Sequence, residues 1–310
     1  MDELKVESRW RVDLPELSAL TIRFREGARS QELLGIGDTS FSIVAGETHP
    51  PGASTLSADL ADSVSSWTLD PDAGSQWEGM AADGAGCAFV LQEHAGHARE
   101  PSHVFAFAPD LRERVCVIAL VVDDGAEWKE AWNEHKNARG EALVLLRDGH
   151  LLVAKQKDPV RFIEFGPRGA TAAGLDPSRL LGDDESFEYP SDPHVEYEPL
   201  ASWGVAREDR DELTTVNDLA VFEGRLYAIS RESHLIAQLE TRASPDEDSL
   251  DVERRWSVPA DVKHPEGIAI GLGGVPIVAD DLSAEEDVGG PNIFVLGQLL
   301  TQEPHEEEPR

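Results

Sequence analysis

Asn217-Asp218-Leu219-Ala220-Val221-Phe222-Glu223-Gly224-Arg225-Leu226-Tyr227-Ala228-Ile229, followed by Leu235-Ile236-Ala237-Gln238-Leu239, reads as three short apolar strands in succession. Glu223-Gly224, between the first two, is a pair that permits hairpin reversal. The order recurs. Glu78-Gly79-Met80-Ala81-Ala82, Glu141-Ala142-Leu143-Val144-Leu145 and Glu266-Gly267-Ile268-Ala269-Ile270 each open on a carboxylate, pass through Gly or Ala, and enter an apolar strand. Turn signals follow at Asp83-Gly84, Asp148-Gly149 and Gly273-Gly274. Second strands come next at Ala88-Phe89-Val90-Leu91, Leu151-Leu152-Val153-Ala154 and Ile277-Val278-Ala279. Third strands follow at Val104-Phe105-Ala106-Phe107, Arg161-Phe162-Ile163-Glu164-Phe165 and Ile293-Phe294-Val295-Leu296. A more worn copy precedes them in Leu20-Thr21-Ile22, Leu33-Leu34-Gly35-Ile36 and Phe41-Ser42-Ile43-Val44.

A unit repeated in this way predicts an all-β fold, a single β-propeller with one four-stranded blade per repeat. Tryptophan marks the fourth strand in Trp67-Thr68-Leu69, Trp203-Gly204-Val205 and Trp256-Ser257-Val258. The last repeat stops after its third strand, while Trp10-Arg11-Val12 is a fourth strand without a blade. That offset predicts a ring closed by the N-terminal strand, which leaves no open seam. The count is five blades. Residues 168–196 leave room for a sixth, but Gly182-Asp183-Asp184-Glu185 and Pro190-Ser191-Asp192-Pro193 read as a long acidic loop. A β-sandwich with similar strand spacing is the rival architecture. Residues 1–300 are expected to form the propeller and 301–310 a disordered acidic tail.

Net charge is −33. Such a surface repels nucleic acid and anionic lipid, which excludes binding through a broad basic face. Only six lysines occur, at 5, 129, 136, 155, 157 and 263, against 21 arginines among the 27 basic residues. That balance suits either a high-salt cytoplasm or an arginine-rich genome. Cys87 and Cys116 make no disulfide framework and read as buried thiols of a reducing, cytoplasmic protein. No apolar run has the length of a membrane span. A monomer is expected. Trp128 and Trp132, at i and i+4, predict one or two helical turns that either cap the rim or act as a lid.

First strands of a propeller surround the central channel. The residues that open each repeat, Ser18, Glu78, Glu141, Asn217 and Glu266, therefore form one ring at a channel mouth. Carboxylates converging there call for a hard cation held by oxygen ligands, for raised carboxylate pKa values, or for a bound basic ligand. The second strands end at Asp38, Glu93, Gln156, Arg231 and Asp281, which form a second ring at the same mouth. That ring is suited to binding a small polar molecule. Hydrogen bonding between blades, ligand or metal binding, and catalysis all remain open for these residues.

The pattern Glu-Gly-hydrophobic-Ala, turn, Leu-Tyr-Ala-Ile-Ser resembles the SdiA-regulated and phytase-esterase-like propeller repeats. Gly140-Glu141-Ala142-Leu143 through Leu151 to Pro159 carries the likeness best. Asn217-Asp218-Leu219-Ala220 and Pro265-Glu266-Gly267-Ile268-Ala269 also resemble loops of the calcium-dependent lactonase propellers, regucalcin and gluconolactonase. That resemblance implies a Ca2+ held by a Glu (Glu78 or Glu266), by Asn217 and by an Asp (Asp281 or Asp280), with an acid or base beside it activating water. Propellers of those families commonly carry six blades, against the five counted here.

No Gly-x-Ser-x-Gly elbow is present. Gly271-Leu272-Gly273-Gly274 lies in a strand-to-strand turn and is no dinucleotide loop. His94, His97 and His103 have no zinc-site spacing. Three functions stay open: a propeller that binds a small polar ligand or protein partner at its channel face around a structural cation; a calcium-dependent hydrolase of a lactone, ester or phosphate, its catalytic residues unassigned; and a docking subunit of a larger complex.

Overall fold

A computed structural model describes residues 2–14, 16–24, 31–48, 56–64, 74–94, 100–123, 125, 127–134, 139–282 and 290–299. The repeats form five blades. Blade 1 comprises Leu17–Phe24, Gln31–Gly37, Ser40–Glu47 and Leu56–Asp59. Blade 2 comprises Trp77–Ala82, Ala88–Gln92, Ser102–Phe107 and Arg114–Leu120, and blade 3 Gly140–Leu145, Leu151–Lys155, Arg161–Pro167 and His194–Val205. Blade 4 comprises Asp218–Phe222, Arg225–Ser230, Leu235–Leu239 and Val252–Ser257. Blade 5 has Pro265–Gly271, Val275–Asp280 and Ile293–Leu296, with Val6–Trp10 as its fourth strand. The first strands neighbour one another in the order of blades 1, 2, 3, 4, 5 and back to 1, which closes the ring.

Side chains alternate between the two faces of a strand, and here both faces meet a neighbouring blade. Leu226 and Ala228 pack toward blade 3, whereas Tyr227 and Ile229 pack toward blade 5. Burial on both faces is why the strands read as unbroken apolar runs. Five apolar clusters result, one at each blade interface. Trp128 and Trp132, on a helix Glu127–Glu134, are buried in the cluster between blades 2 and 3. They cap that interface.

The closing strand is displaced from its expected position. Val6–Trp10 pairs antiparallel with Ile293–Leu296, so only Trp10 of Trp10-Arg11-Val12 lies in it. Val12 instead donates its N–H to Asn292 Oδ1 at 2.8 Å. Asp2–Glu3 runs on to pair in parallel with Trp256–Ser257 of blade 4. The fourth strand of blade 1 is Leu56–Asp59, and Trp67-Thr68-Leu69 lies outside the described residues, as do His97 and the 301–310 tail.

Residues 168–193 add no blade. They cross the face opposite the channel mouth considered below, carrying a short 3-10 turn at Pro177–Arg179 and single bridges Leu146–Leu180 and Leu175–Ala243. The strand from His194 then pairs first with blade 2, Val117 opposite His194, before joining Arg161–Pro167. The extra length of this repeat thus stitches two blades together. Cys87 and Cys116 are free and buried, and burial pushes both thiols up to about 11. Among the described residues no helix is long and apolar enough to cross a membrane.

A net charge of −33 repels itself over this surface. Screening tightens from about 10 Å at 0.1 M salt to about 3 Å at 1 M. The melting temperature is therefore expected to rise as NaCl is raised across that range. A level or falling Tm would show that attractive pairs outweigh the net repulsion.

Candidate functional site

The first strand of four blades carries a register shift at the residue that opens the repeat. The shifts fall between Leu17 and Ala19, Trp77 and Gly79, Gly140 and Ala142, and Pro265 and Ile268. A bulge frees one residue from the ladder and re-aims its side chain. Ser18, Glu78, Glu141 and Glu266 occupy these positions, at the channel mouth. The next residue is small because the strands meet there. A Cβ on Gly79 would lie 3.0 Å from the Glu141 carbonyl oxygen, and one on Gly267 3.0 Å from backbone atoms of Ala19 and Leu20.

The second ring shares one geometry. The backbone N–H groups of Asp38, Glu93, Gln156 and Asp281 donate to the carbonyls of Glu16, Gln76, Arg139 and His264, each two residues before the opening residue of its own repeat. In blade 4 the Asn217 side chain takes over that role. Its Oδ1 accepts the Arg231 N–H at 3.0 Å and the Thr215 hydroxyl at 3.2 Å. That oxygen is engaged by the frame of the site, which Asn217 helps to build. Gln156 takes part through its backbone, its carbonyl accepting the N–H of Val216.

The two rings meet in one acidic funnel. Glu78 is pushed well above the usual carboxylate range by burial and then by the charges of Glu141, Glu93, Asp38 and Glu266. Glu141 is raised likewise by burial, then by Glu93 and Glu266. Asp38 is pushed up to about 8 by burial, then by Glu16, Asp281 and Glu266. Burial lifts Glu93 to about 7, against the Arg139 N–H that donates to its Oε1 at 2.9 Å. Burial also lifts Glu266 to about 7, helped by Asp281 and opposed by Arg231.

Counter-charge reaches the funnel unevenly. Arg231 Nη1 donates to Glu266 Oε1 and, at 3.1 Å, to Asp281 Oδ2, linking blades 4 and 5. On the opposite side Lys155 and Lys157 act on Glu93 and Glu141. The Lys155 ammonium is itself pinned to the carbonyls of Lys157, Asp158 and Pro159, and burial lowers it to about 8. Glu141 is only 8% exposed. Among the described residues neither its carboxylate nor that of Glu78 accepts a hydrogen bond, and Oδ1 of Asp38 and of Asp281 are buried without a partner. Glu16, Lys155, Lys157 and Asp218 belong to the site without having been singled out from sequence. The available signal was that two of six lysines flank Gln156.

Oxygen donors alone face the funnel, which fits a hard cation better than zinc or copper. The funnel is wide, however. Among the described residues the trio with ligand atoms all within 4.8 Å of one another is Asp148, His150 and Glu164, at the other end of blade 3. Arg179 already occupies that trio, donating to Asp148 Oδ2 at 2.5 Å and to Glu164 Oε1 at 2.7 Å, while His150 Nδ1 donates to Glu164 Oε1 at 2.7 Å. A guanidinium supplies the charge there that a metal would. His94 and His103 form no such trio, and burial lowers His103 to about 4.

No protein-family model matches the chain, and no curated protein matches it in sequence. Solved structures do match. Glutaminyl cyclase from Myxococcus xanthus is 12% identical with a TM-score of 0.53, covering 95% of each chain. Regucalcin from Agrobacterium tumefaciens, described as calcium-binding, is 9% identical with a TM-score of 0.50, covering 96% of each. An aldose sugar dehydrogenase from Streptomyces coelicolor, at 9% identity and TM-score 0.48, covers 95% of this chain and 97% of that one. Identities this low speak to architecture, and nothing among these likenesses is specific to SdiA-regulated propellers. The chain is an all-β propeller, similar in fold to the Myxococcus xanthus glutaminyl cyclase and to the Agrobacterium tumefaciens regucalcin.

Proposed function

We propose that the protein binds a divalent cation, calcium by the chemistry of the donors, in the channel funnel and presents it to a small polar ligand. One observation carries this reading. Glu141 as a residue is 8% exposed, feels the charges of Glu93, Glu266 and Asp38 against that of Lys157, acts in turn on Glu78, and its carboxylate has no described hydrogen-bond donor. Burying such a group without a partner costs several kcal/mol unless it is protonated or meets a cation. Glu266 and Asp281 already share Arg231, so Glu78, Glu141 and Asp38 are the groups left to an ion. Their spread leaves room in the coordination shell for water or for ligand oxygens. The calcium binding of the regucalcin neighbour is a property of that protein, and this reading rests on the carboxylates here.

The test is calorimetric titration of the purified, chelator-treated protein with CaCl2, paired with thermal melts. Wild type is expected to bind and to gain about 2.7 kcal/mol of stability at a hundredfold excess over Kd. Glu141→Gln and Glu78→Gln are expected to lose most of that affinity while melting at or above the wild-type apo temperature, since each removes a repelling charge. Wild type that binds spermidine and not calcium would replace the ion with an organic base, which the width of the funnel also accommodates.

A hydrolytic extension has its own support in Glu93, held near 7 beside the same carboxylates. Such a group accepts a proton efficiently at neutral pH. Calcium would supply polarisation of the scissile group. Calcium-dependent turnover of a lactone or ester panel that disappears in Glu93→Gln is the expected signature.

A further inference from the structure

The position after each opening residue is occupied by Ala19, Gly79, Ala142, Asp218 and Gly267. Four are the smallest side chains, and at Gly79 and Gly267 a Cβ would sit 3.0 Å from neighbouring backbone, which would have to give way. Asp218 alone extends into the axis. It is fully buried, and its Oδ2 accepts the N–H of Ile268 in blade 5 at 2.9 Å and that of Leu20 in blade 1 at 3.2 Å. Its Oδ1 accepts the N–H of Leu219 at 2.8 Å. Blade 1 is not a neighbour of blade 4 in the ring, so the second of these bonds crosses the channel.

We propose that Asp218 is the positioning residue of the funnel: a carboxylate plug that ties blades 1 and 5 to blade 4 immediately beneath the carboxylate rings and so sets their spacing. Leu20 and Ile268 each lie two residues beyond an opening residue, Ser18 and Glu266. Holding their N–H groups fixes the height and tilt at which blade 1 presents Glu16 and Asp38 and blade 5 presents Glu266 and Asp281. Below the plug, Leu20–Ile22, Met80–Ala82, Leu143–Leu145, Leu219–Val221 and Ile268–Ile270 line a small cavity of about 70 Å³, which Leu181–Asp183 borders at its far end. Asp218 thereby makes the funnel a blind pocket entered from one side.

This inference rests on cation binding in the funnel, and the test separates the two. Calcium affinity is measured for wild type, Asp218→Asn, Asp218→Ala and a remote core control, Phe165→Leu, with a melt for each. Asparagine keeps an oxygen facing Leu20 and Ile268 but turns an amide donor toward the Leu219 N–H, giving up that one contact. It is expected to retain most of the wild-type affinity. Alanine is expected to weaken calcium binding about tenfold or more, the scale seen when groups behind metal ligands are removed. The control is expected to lower Tm without moving Kd. Should alanine fail to fold, Asp218→Ser, too short to reach both strands, carries the same expectation. Folded alanine or serine variants with wild-type affinity would overturn the inference, as would an asparagine variant as weak as alanine. Wild type that binds no calcium would instead remove the cation reading on which it stands.

Discussion

Arg179→Ala is expected to lower stability by about 3 kcal/mol or more, the scale for removing one partner of a buried ion pair. Glu164 is wholly buried, and Arg179 joins it to Asp148 while also donating to the Gly174 carbonyl. Loss of the guanidinium leaves Glu164 with His150 Nδ1 at 2.7 Å and the N–H groups of Ala173 and Gly174. Those contacts keep the effect from being larger. Burial pushes the Glu164 carboxyl up, but the bonds from His150 and Arg179 together outweigh it and hold the group below the usual glutamate range. The sign follows: the contribution is complete above the unfolded glutamate pKa and is lost as pH falls through the depressed folded value. Urea melts of wild type and variant should therefore differ most at neutral pH and converge in acid. Arg179 also holds the crossing segment, since its guanidinium donates to the Gly174 carbonyl. Faster amide exchange across 174–185 is expected in the same variant. A loss below about 1 kcal/mol at neutral pH would place this cluster with surface pairs of little consequence.

That cluster also marks a limit of what sequence conveys. The blade interiors were legible because a strand buried on both faces leaves an uninterrupted apolar run, and the turn pairs after it are few in kind. The two polar rings were legible because their members hold fixed places relative to those runs, as the shared N–H bonds of Asp38, Glu93, Gln156 and Asp281 demonstrate. What escaped was set by pairing across blades. Glu16 sits in a left-handed conformation (φ 51°) in an irregular link, so nothing periodic points to it. Asn217 and Glu266 occupy equivalent places, yet one is a frame residue and the other an ion-pair partner, a difference decided by Thr215 and Arg231. The partners of Asp218 lie 198 and 50 residues away. The closing strand was placed a few residues late because Trp10 ends it and does not begin it.

Removal of residues 1–12 is expected to destabilise the protein by about 5 kcal/mol or more, counting the buried Leu4 and Val12, two partly buried apolar side chains and several ladder hydrogen bonds. Leu4 is buried with the cluster between blades 4 and 5, Val6 packs against it, and Trp10 packs against the cluster between blades 5 and 1. Val6–Trp10 supplies the only cover for the edge at Ile293–Leu296 among the described strands, and Asp2–Glu3 covers the outer edge of blade 4. Both edges would present unpaired N–H and C=O groups to water and to other chains. The truncated protein should accordingly melt far below wild type, lose a single cooperative transition and self-associate. A synthetic peptide of residues 2–12 added in trans should pair with the vacant edge by strand addition and raise the melting temperature in a saturable way. The Asn292 side chain provides the register for that rescue, since its Oδ1 and Nδ2 hold both the N–H and the carbonyl of Val12. Asn292→Ala should therefore weaken the peptide's apparent affinity more than it lowers the stability of the intact chain, in which the strand is tethered and its effective concentration is high. A truncated protein that melts cooperatively at the wild-type temperature would mean that the ring holds through its five interblade cores alone, and that the N-terminal strand covers an edge without closing the fold.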